Sequence, residues 1–225
     1  MIKARKLTKC YLSGEETVKA LDGVDLSLNN GAFAVVAGRS GSGKTTLLNM
    51  IGLLDTLDSG RLDISGQNVL QFSRSKRAEY RLWHMGFVFQ SYNLIRVLSA
   101  RENVAYVLQL RGISANKRRH IADQWLAEVG LQGMEHRRPD ELSGGQQQRV
   151  AVARALAGKP DIVLADEPTA NLDSQTGEEL MLLMRQLNET HGTTFLIASH
   201  DPVVLETGKL LLRMQDGKIV EQTNP

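Results

Sequence analysis

The run GRSGSGKT at residues 38–45 limits what this chain can fold into more than any other feature. It fits G-x-x-x-x-G-K-[S/T], and its flanks supply the context that pattern requires. FAVVAG (33–38) is a short apolar run suited to a buried strand, and TTLLNMIGLL repeats Leu47, Leu48, Ile51 and Leu54 at helical spacing. Strand, glycine loop and helix in that order wrap backbone N–H groups around a phosphate at a helix N-terminus, where the helix dipole favours an anion. Gly38, Arg39, Ser40, Gly41, Ser42, Gly43, Lys44, Thr45 and Thr46 are the expected nucleotide-binding residues. Lys44 supplies a point charge to the phosphates and the Thr45 hydroxyl a ligand for Mg²⁺.

Two further apolar runs end in polar residues: DIVLAD (161–166) and TTFLIASH (193–200). Between them Leu180, Leu183, Met184 and Leu187 mark one face of a helix, so the order is β-α-β and the sheet parallel. Parallel sheets bind ligands at their C-terminal strand ends, which directs attention to Asp166, Glu167 and His200. Asp166 is placed to hold Mg²⁺ and Glu167 to polarise an attacking water, since adjacent residues at a strand end point differently. His200, just before an Asp201-Pro202 helix start, is placed to bind the γ-phosphate and orient Glu167 and the water. Gln90 ends another strand-like run, MGFVFQ, and offers a neutral amide to Mg²⁺ or water.

The first 30 residues and GRLDISGQNV (60–69) read as short strands with turn signals, an antiparallel layer beside the core. Residues 91–140 carry mainly helical periodicity. The expected fold is α/β: one domain over 1–225, with a mainly parallel core sheet and the antiparallel layer in 1–90 and 160–225, and an inserted helical subdomain over about 91–159. A net charge of +2 does not point to nucleic acid. Cys10 is the only cysteine, which excludes an internal disulfide and fits a reducing cytosol, and no stretch approaches the ~20 apolar residues of a membrane helix. The basic stretches RSKRAEYRLWH and NKRRH read as solvated helix faces, with a membrane-facing or partner-facing patch as the alternative.

LSGGQQQR (142–149) looks like a second helix start built for an anion. Ser143 and Gln146 have the spacing of a capping box, and Gly144 and Gly145 allow a ligand to approach the backbone. One chain thus carries two phosphate-grade helix starts.

With GRSGSGKT, Gln90, LSGGQQQR, Asp166-Glu167 and His200 in this order, the chain resembles the nucleotide-binding subunit of ATP-binding cassette transporters over nearly its whole length. The resemblance implies that Tyr11 stacks on adenine, that Ala170-Asn171-Leu172-Asp173 contains the D-loop with Asp173 among the nucleotide-binding residues, and that ATP and Mg²⁺ are bound. It also explains the second helix start: in an ATP-bound homodimer Ser143, Gly144, Gly145 and Gln146 of each subunit close on the ATP held by the partner's glycine loop. GEETVKALDGVDLSL, TLLNMIGLLD, GFVFQSYNLI and ELSGGQQQRVAVARAL are similar to the branch containing lipoprotein-release, macrolide-export and division-associated ATPases. Members of that branch work from the cytoplasmic face of the inner membrane, peripherally on integral-membrane permease subunits with an extracytoplasmic domain. Export or force transmission is the implied function, and regulation of a membrane partner without transport is the alternative.

Overall fold

The computed structural model describes residues 1–14 and 16–223. The chain forms β1 (Ile2–Ser13), β2 (Glu16–Leu28), β3 (Phe33–Ala37), α1 (Lys44–Ile51), β4 (Ser59–Ile64), β5 (Gln67–Asn68), α2 (Arg74–His84), β6 (Met85–Phe89), α3 (Ala100–Leu110) and α4 (Ala115–Glu128). There follow α5 (Gly144–Ala157), β7 (Ile162–Asp166), α6 (Ser174–His191), β8 (Thr194–Ser199), α7 (Pro202–Thr207), β9 (Leu210–Gln215) and β10 (Lys218–Thr223). One sheet has the order β10-β9-β3-β8-β7-β6, parallel from β9 to β6 with β10 antiparallel at the edge; the other, β2-β1-β4-β5, is antiparallel.

Strand alternation splits the interior in two. Phe33, Val35, Val163, Ala165, Phe195 and Ile197 face a cluster completed by α3 to α7. Their neighbours Ala34, Val36, Ile162, Leu164, Leu196 and Ala198 face one completed by α1, Tyr80 of α2 and the antiparallel sheet. A strand buried on both faces must be apolar throughout, which is why FAVVA and TFLIAS read as unbroken runs rather than alternating ones. On the helical side the buried cluster is continuous from the sheet through α5 to Val104, Leu108, Trp125 and Leu126 of α3 and α4.

Two sequence expectations need correction, and one hairpin is unanticipated. The helix after the glycine loop stops at Ile51: Gly52 caps it, Leu53 takes a φ of 54°, and Leu54 is 46% exposed rather than on the buried face. The opening strands are long, 12 and 13 residues, and register shifts near Ala4, Leu7 and Lys9 bend the ribbon that short strands would otherwise require. The sequence reading also has no counterpart to β9 and β10, whose Asp216-Gly217 turn, both at positive φ, is a strong hairpin signal.

Candidate functional site

The C-terminal ends of β3, β7 and β8 bring Lys44, Thr45, Asp166, Glu167 and His200 together. Gly43, at a φ of 102°, starts α1 without any side-chain cap, so the first N–H groups of that helix stay open to a ligand. A Cβ at Gly43 would overlap the Ala20 carbonyl, and one at Gly38 the Met214 carbonyl. The loop is therefore glycine-rich for its protein neighbours as well as for phosphate. Lys44, buried, donates from Nζ to the carbonyls of Gly38 at 2.7 Å and Arg39 at 3.2 Å. Arg39, Ser40 and Gly41 form the exposed tip, while Ser42 is buried with no partner for its Oγ among the described residues.

The two acids point apart, through a backbone turn. β7 ends at Asp166, and Glu167 adopts a φ of 46°, a sparsely populated region for a residue with a side chain, while its N–H donates to the Ala198 carbonyl at 2.9 Å. Asp166 consequently faces Thr45, whose hydroxyl donates to its Oδ1 at 3.1 Å. Burial pushes the Asp166 carboxyl above the usual carboxylate range; Glu167 adds to this, and Thr45 and Lys44 oppose it. Glu167 Oε1 lies 3.4 Å from Lys44 Nζ and 2.9 Å from His200 Nδ1, and its Oε2 accepts from Ser199 Oγ at 3.1 Å. Ser199 is the member of this cluster to which the sequence reading gave no role.

Gln90 follows β6, is exposed, and its side chain is not drawn into the cluster; its carbonyl instead accepts from Asn171 Nδ2 at 2.9 Å. Tyr11 lies on β1, its phenol beside Thr46 of α1. The carboxylate of Asp173 caps α6, accepting from the N–H of Thr176 at 2.9 Å and from its hydroxyl at 2.7 Å.

Ser143 caps α5 in the reciprocal box its spacing predicts, with Ser143 Oγ accepting from the Gln146 N–H at 3.3 Å and Gln146 Oε1 from the Ser143 N–H at 3.0 Å. A Cβ on Gly144 would lie 2.8 Å from the Tyr92 hydroxyl, and one on Gly145 2.5 Å from Thr176 Cγ2. The start of α5 thus packs on Tyr92 and on the 171–176 segment, and none of these contacts is with its own glycine loop. Further along α5 the sequence reading missed Gln148. Fully buried, it donates from Nε2 to the carbonyls of Phe89 at 3.3 Å and Pro168 at 2.7 Å, one residue before Gln90 and one after Glu167. A glutamine inside a helical run signals nothing by itself; only the tertiary fold reveals this bridge.

Among the described residues no group of three or more His, Cys, Asp or Glu side chains could hold a metal, and no helix is long and apolar enough to cross a membrane. A cation here would need phosphate oxygens as co-ligands, and Thr45 with Asp166 supplies the two hard oxygens such a shared site takes from protein.

Comparison with known proteins places this geometry. The family described as ABC transporter matches residues 21–170. The lipoprotein-releasing system ATP-binding protein LolD of Pseudoalteromonas translucida is 41% identical over 97% of this chain and 94% of its own length. The macrolide export ATP-binding/permease protein MacB of Hyphomonas neptunium is 42% identical over 99% of this chain, which spans only 34% of that relative. The dimeric post-hydrolysis structure of the ATP-binding cassette MJ0796, bound to ADP and Pi, superposes with a TM-score of 0.92 at 40% identity, covering 100% of this chain and 98% of the other.

Proposed function

The chain belongs to the ABC transporter family of ATP-binding proteins, and from that premise we propose that it is the ATPase subunit of a membrane export or force-transmitting complex of the lipoprotein-release or macrolide-export kind. The observation that carries the reading is the Lys44–Glu167–His200 cluster beside an uncapped helix start. Lys44 and the N–H groups of residues 41–46 bind the triphosphate and stabilise charge that develops on it. Glu167 is the general base for the attacking water, and Ser199 and His200 fix its carboxylate from two sides. His200, 65% exposed at its side chain, has room to meet the γ-phosphate. Thr45, Asp166 and, from the adjacent strand end, Gln90 are the groups that would hold Mg²⁺, which when bound neutralises phosphate charge.

Tyr11 offers its exposed ring to the adenine. Ser143, Gly144, Gly145 and Gln146, turned away from their own glycine loop, close on ATP held by a second copy of the chain, with Asp173 at the seam. ATP thereby joins two subunits and hydrolysis releases them, an open-to-closed cycle that does work on integral-membrane permease subunits with an extracytoplasmic domain. The chain then sits peripherally at the cytoplasmic face of the membrane.

The test is Glu167→Gln, which keeps the shape and removes the base. Turnover should fall by about 10²- to 10⁴-fold while ATP binding persists, and size-exclusion chromatography with ATP should show an accumulated dimer. Hydrolysis at the wild-type rate would rule out Glu167 as the base. Affinity capture of the same variant from solubilised membranes should retain a permease with few spans and a large extracytoplasmic domain.

A further inference from the structure

The ring proposed above as the adenine platform is held from beneath. Tyr11 is 39% exposed, yet its hydroxyl donates to Asp55 Oδ2 at 2.8 Å, across 44 positions of sequence. Asp55 is fixed in turn: its Oδ1 accepts from the Thr56 N–H at 2.6 Å, and its Oδ2 lies 3.7 Å from Lys9 Nζ. Lys9 is only 9% exposed, and its ammonium sits 5.0 Å from the Tyr11 ring centroid and 3.6 Å from Asp58 Oδ1. Asp58 also accepts the Cys10 N–H at 2.7 Å, and its own N–H donates to the Thr8 carbonyl at 3.0 Å. The loop after α1 is therefore pinned to β1 at the tyrosine itself and at the three residues before it. The buried ammonium lies over one face of the ring, so a base would stack on the opposite face.

We propose that Asp55 and Lys9 are positioning residues for the nucleotide base: they hold the Tyr11 ring in place before ATP arrives, so that the purine stacks on a fixed platform instead of ordering a free side chain. The proposal rests on the reading that Tyr11 meets the adenine. A tyrosine on an exposed β-ribbon otherwise samples several rotamers, and binding must then order it; holding one rotamer beforehand removes that cost from the affinity. Charge agrees with this arrangement. Burial opposes ionisation of Asp55, but the Thr56 N–H, the Tyr11 hydroxyl and the Lys9 ammonium outweigh it and keep the carboxyl below its usual range. Burial and the Asp55 bond raise the Tyr11 phenol, which remains the donor.

The experiment measures ATP and inorganic tripolyphosphate binding by calorimetry for wild type, Tyr11→Ala, Tyr11→Phe, Asp55→Ala and the Tyr11→Phe/Asp55→Ala pair. Tyr11→Ala should weaken ATP about tenfold or more without changing tripolyphosphate, which has no base to stack. Tyr11→Phe and Asp55→Ala should each weaken ATP about 3- to 10-fold, with tripolyphosphate again unchanged and the double variant no weaker than Asp55→Ala alone, because the bond that Tyr11→Phe removes is already lost there. Wild-type ATP affinity in Tyr11→Ala overturns the stacking reading itself. Loss in Tyr11→Ala with none in Tyr11→Phe or Asp55→Ala, or additive losses in the double variant, overturns the positioning role alone. Equal weakening of ATP and tripolyphosphate would assign Asp55 to the shape of the phosphate loop instead. Should Asp55→Ala not fold, the Tyr11→Phe comparison, which deletes one exposed oxygen, still decides the tether.

Discussion

The carboxylate that ends β7 is held at an energetic cost to the fold. Asp166, raised by burial, is a group whose ionised form is disfavoured by the fold. A carboxyl whose folded value lies above its unfolded one costs stability when both states are ionised, and the cost disappears as pH falls through the folded value toward the unfolded one. Asp166→Asn should therefore melt at a higher temperature than wild type at pH 7 without nucleotide. That advantage should shrink as pH drops through the carboxylate range, and Mg²⁺-dependent hydrolysis should be lost. Thermal melts from pH 7 to pH 4 check the sign: a variant that melts lower at pH 7 would mean the Thr45 bond outweighs burial. Both acids were legible in the sequence as a strand end; the turn at Glu167 that separates them was not, because left-handed backbone at a glutamate is imposed by its surroundings and contradicts local preference.

The start of α5 shows one element serving two demands. The capping box of Ser143 and Gln146 is written in the spacing, yet Gly144 and Gly145 have a second reason to be glycine that no local pattern reveals: Tyr92 and Thr176 occupy the space a side chain would fill. Gly145→Ala should destabilise the chain by about 1–3 kcal/mol, the usual cost of overpacking. Adding Thr176→Ser should recover most of that loss, since it deletes Cγ2 and keeps the hydroxyl bound to Asp173. Urea unfolding of the single and double variants measures the recovery. If the double variant is stable but ATP turnover stays low, the glycine also serves the ligand; if turnover returns with stability, packing alone accounts for it.

At the scale of the molecule, β3, β7 and β8 each feed both interiors, so the two halves should not unfold separately. Leu164→Ala opens the α1 side and Val163→Ala the side of α5 and α6. Each should lower one shared transition, the leucine by about 2–5 kcal/mol. Circular dichroism and tryptophan fluorescence should coincide, Trp125 reporting the helical side, and two separated midpoints would contradict this shared-strand account. The C-terminal hairpin adds a long-range brace: the Gly217 N–H donates to the Ser42 carbonyl at 3.0 Å and the Gly217 carbonyl accepts from the Asp22 N–H at 2.9 Å, so the turn between β9 and β10 links the glycine loop to β2.

Sequence alone determined the elements whose chemistry is local: the glycine loop between an apolar strand and a helix, the capped start of α5, the buried parallel strands, and the acids and histidine at their ends. Each is specified within a few residues by periodicity, capping spacing or side-chain type. Tertiary structure decided what joins residues far apart in the chain: Gln148 between the carbonyls of Phe89 and Pro168, Asp55 beneath Tyr11, and the Gly217 turn against Ser42. Such contacts follow from how sheets and helices pack, and a glutamine, an aspartate or a glycine turn looks the same in sequence whether or not a partner lies across the fold.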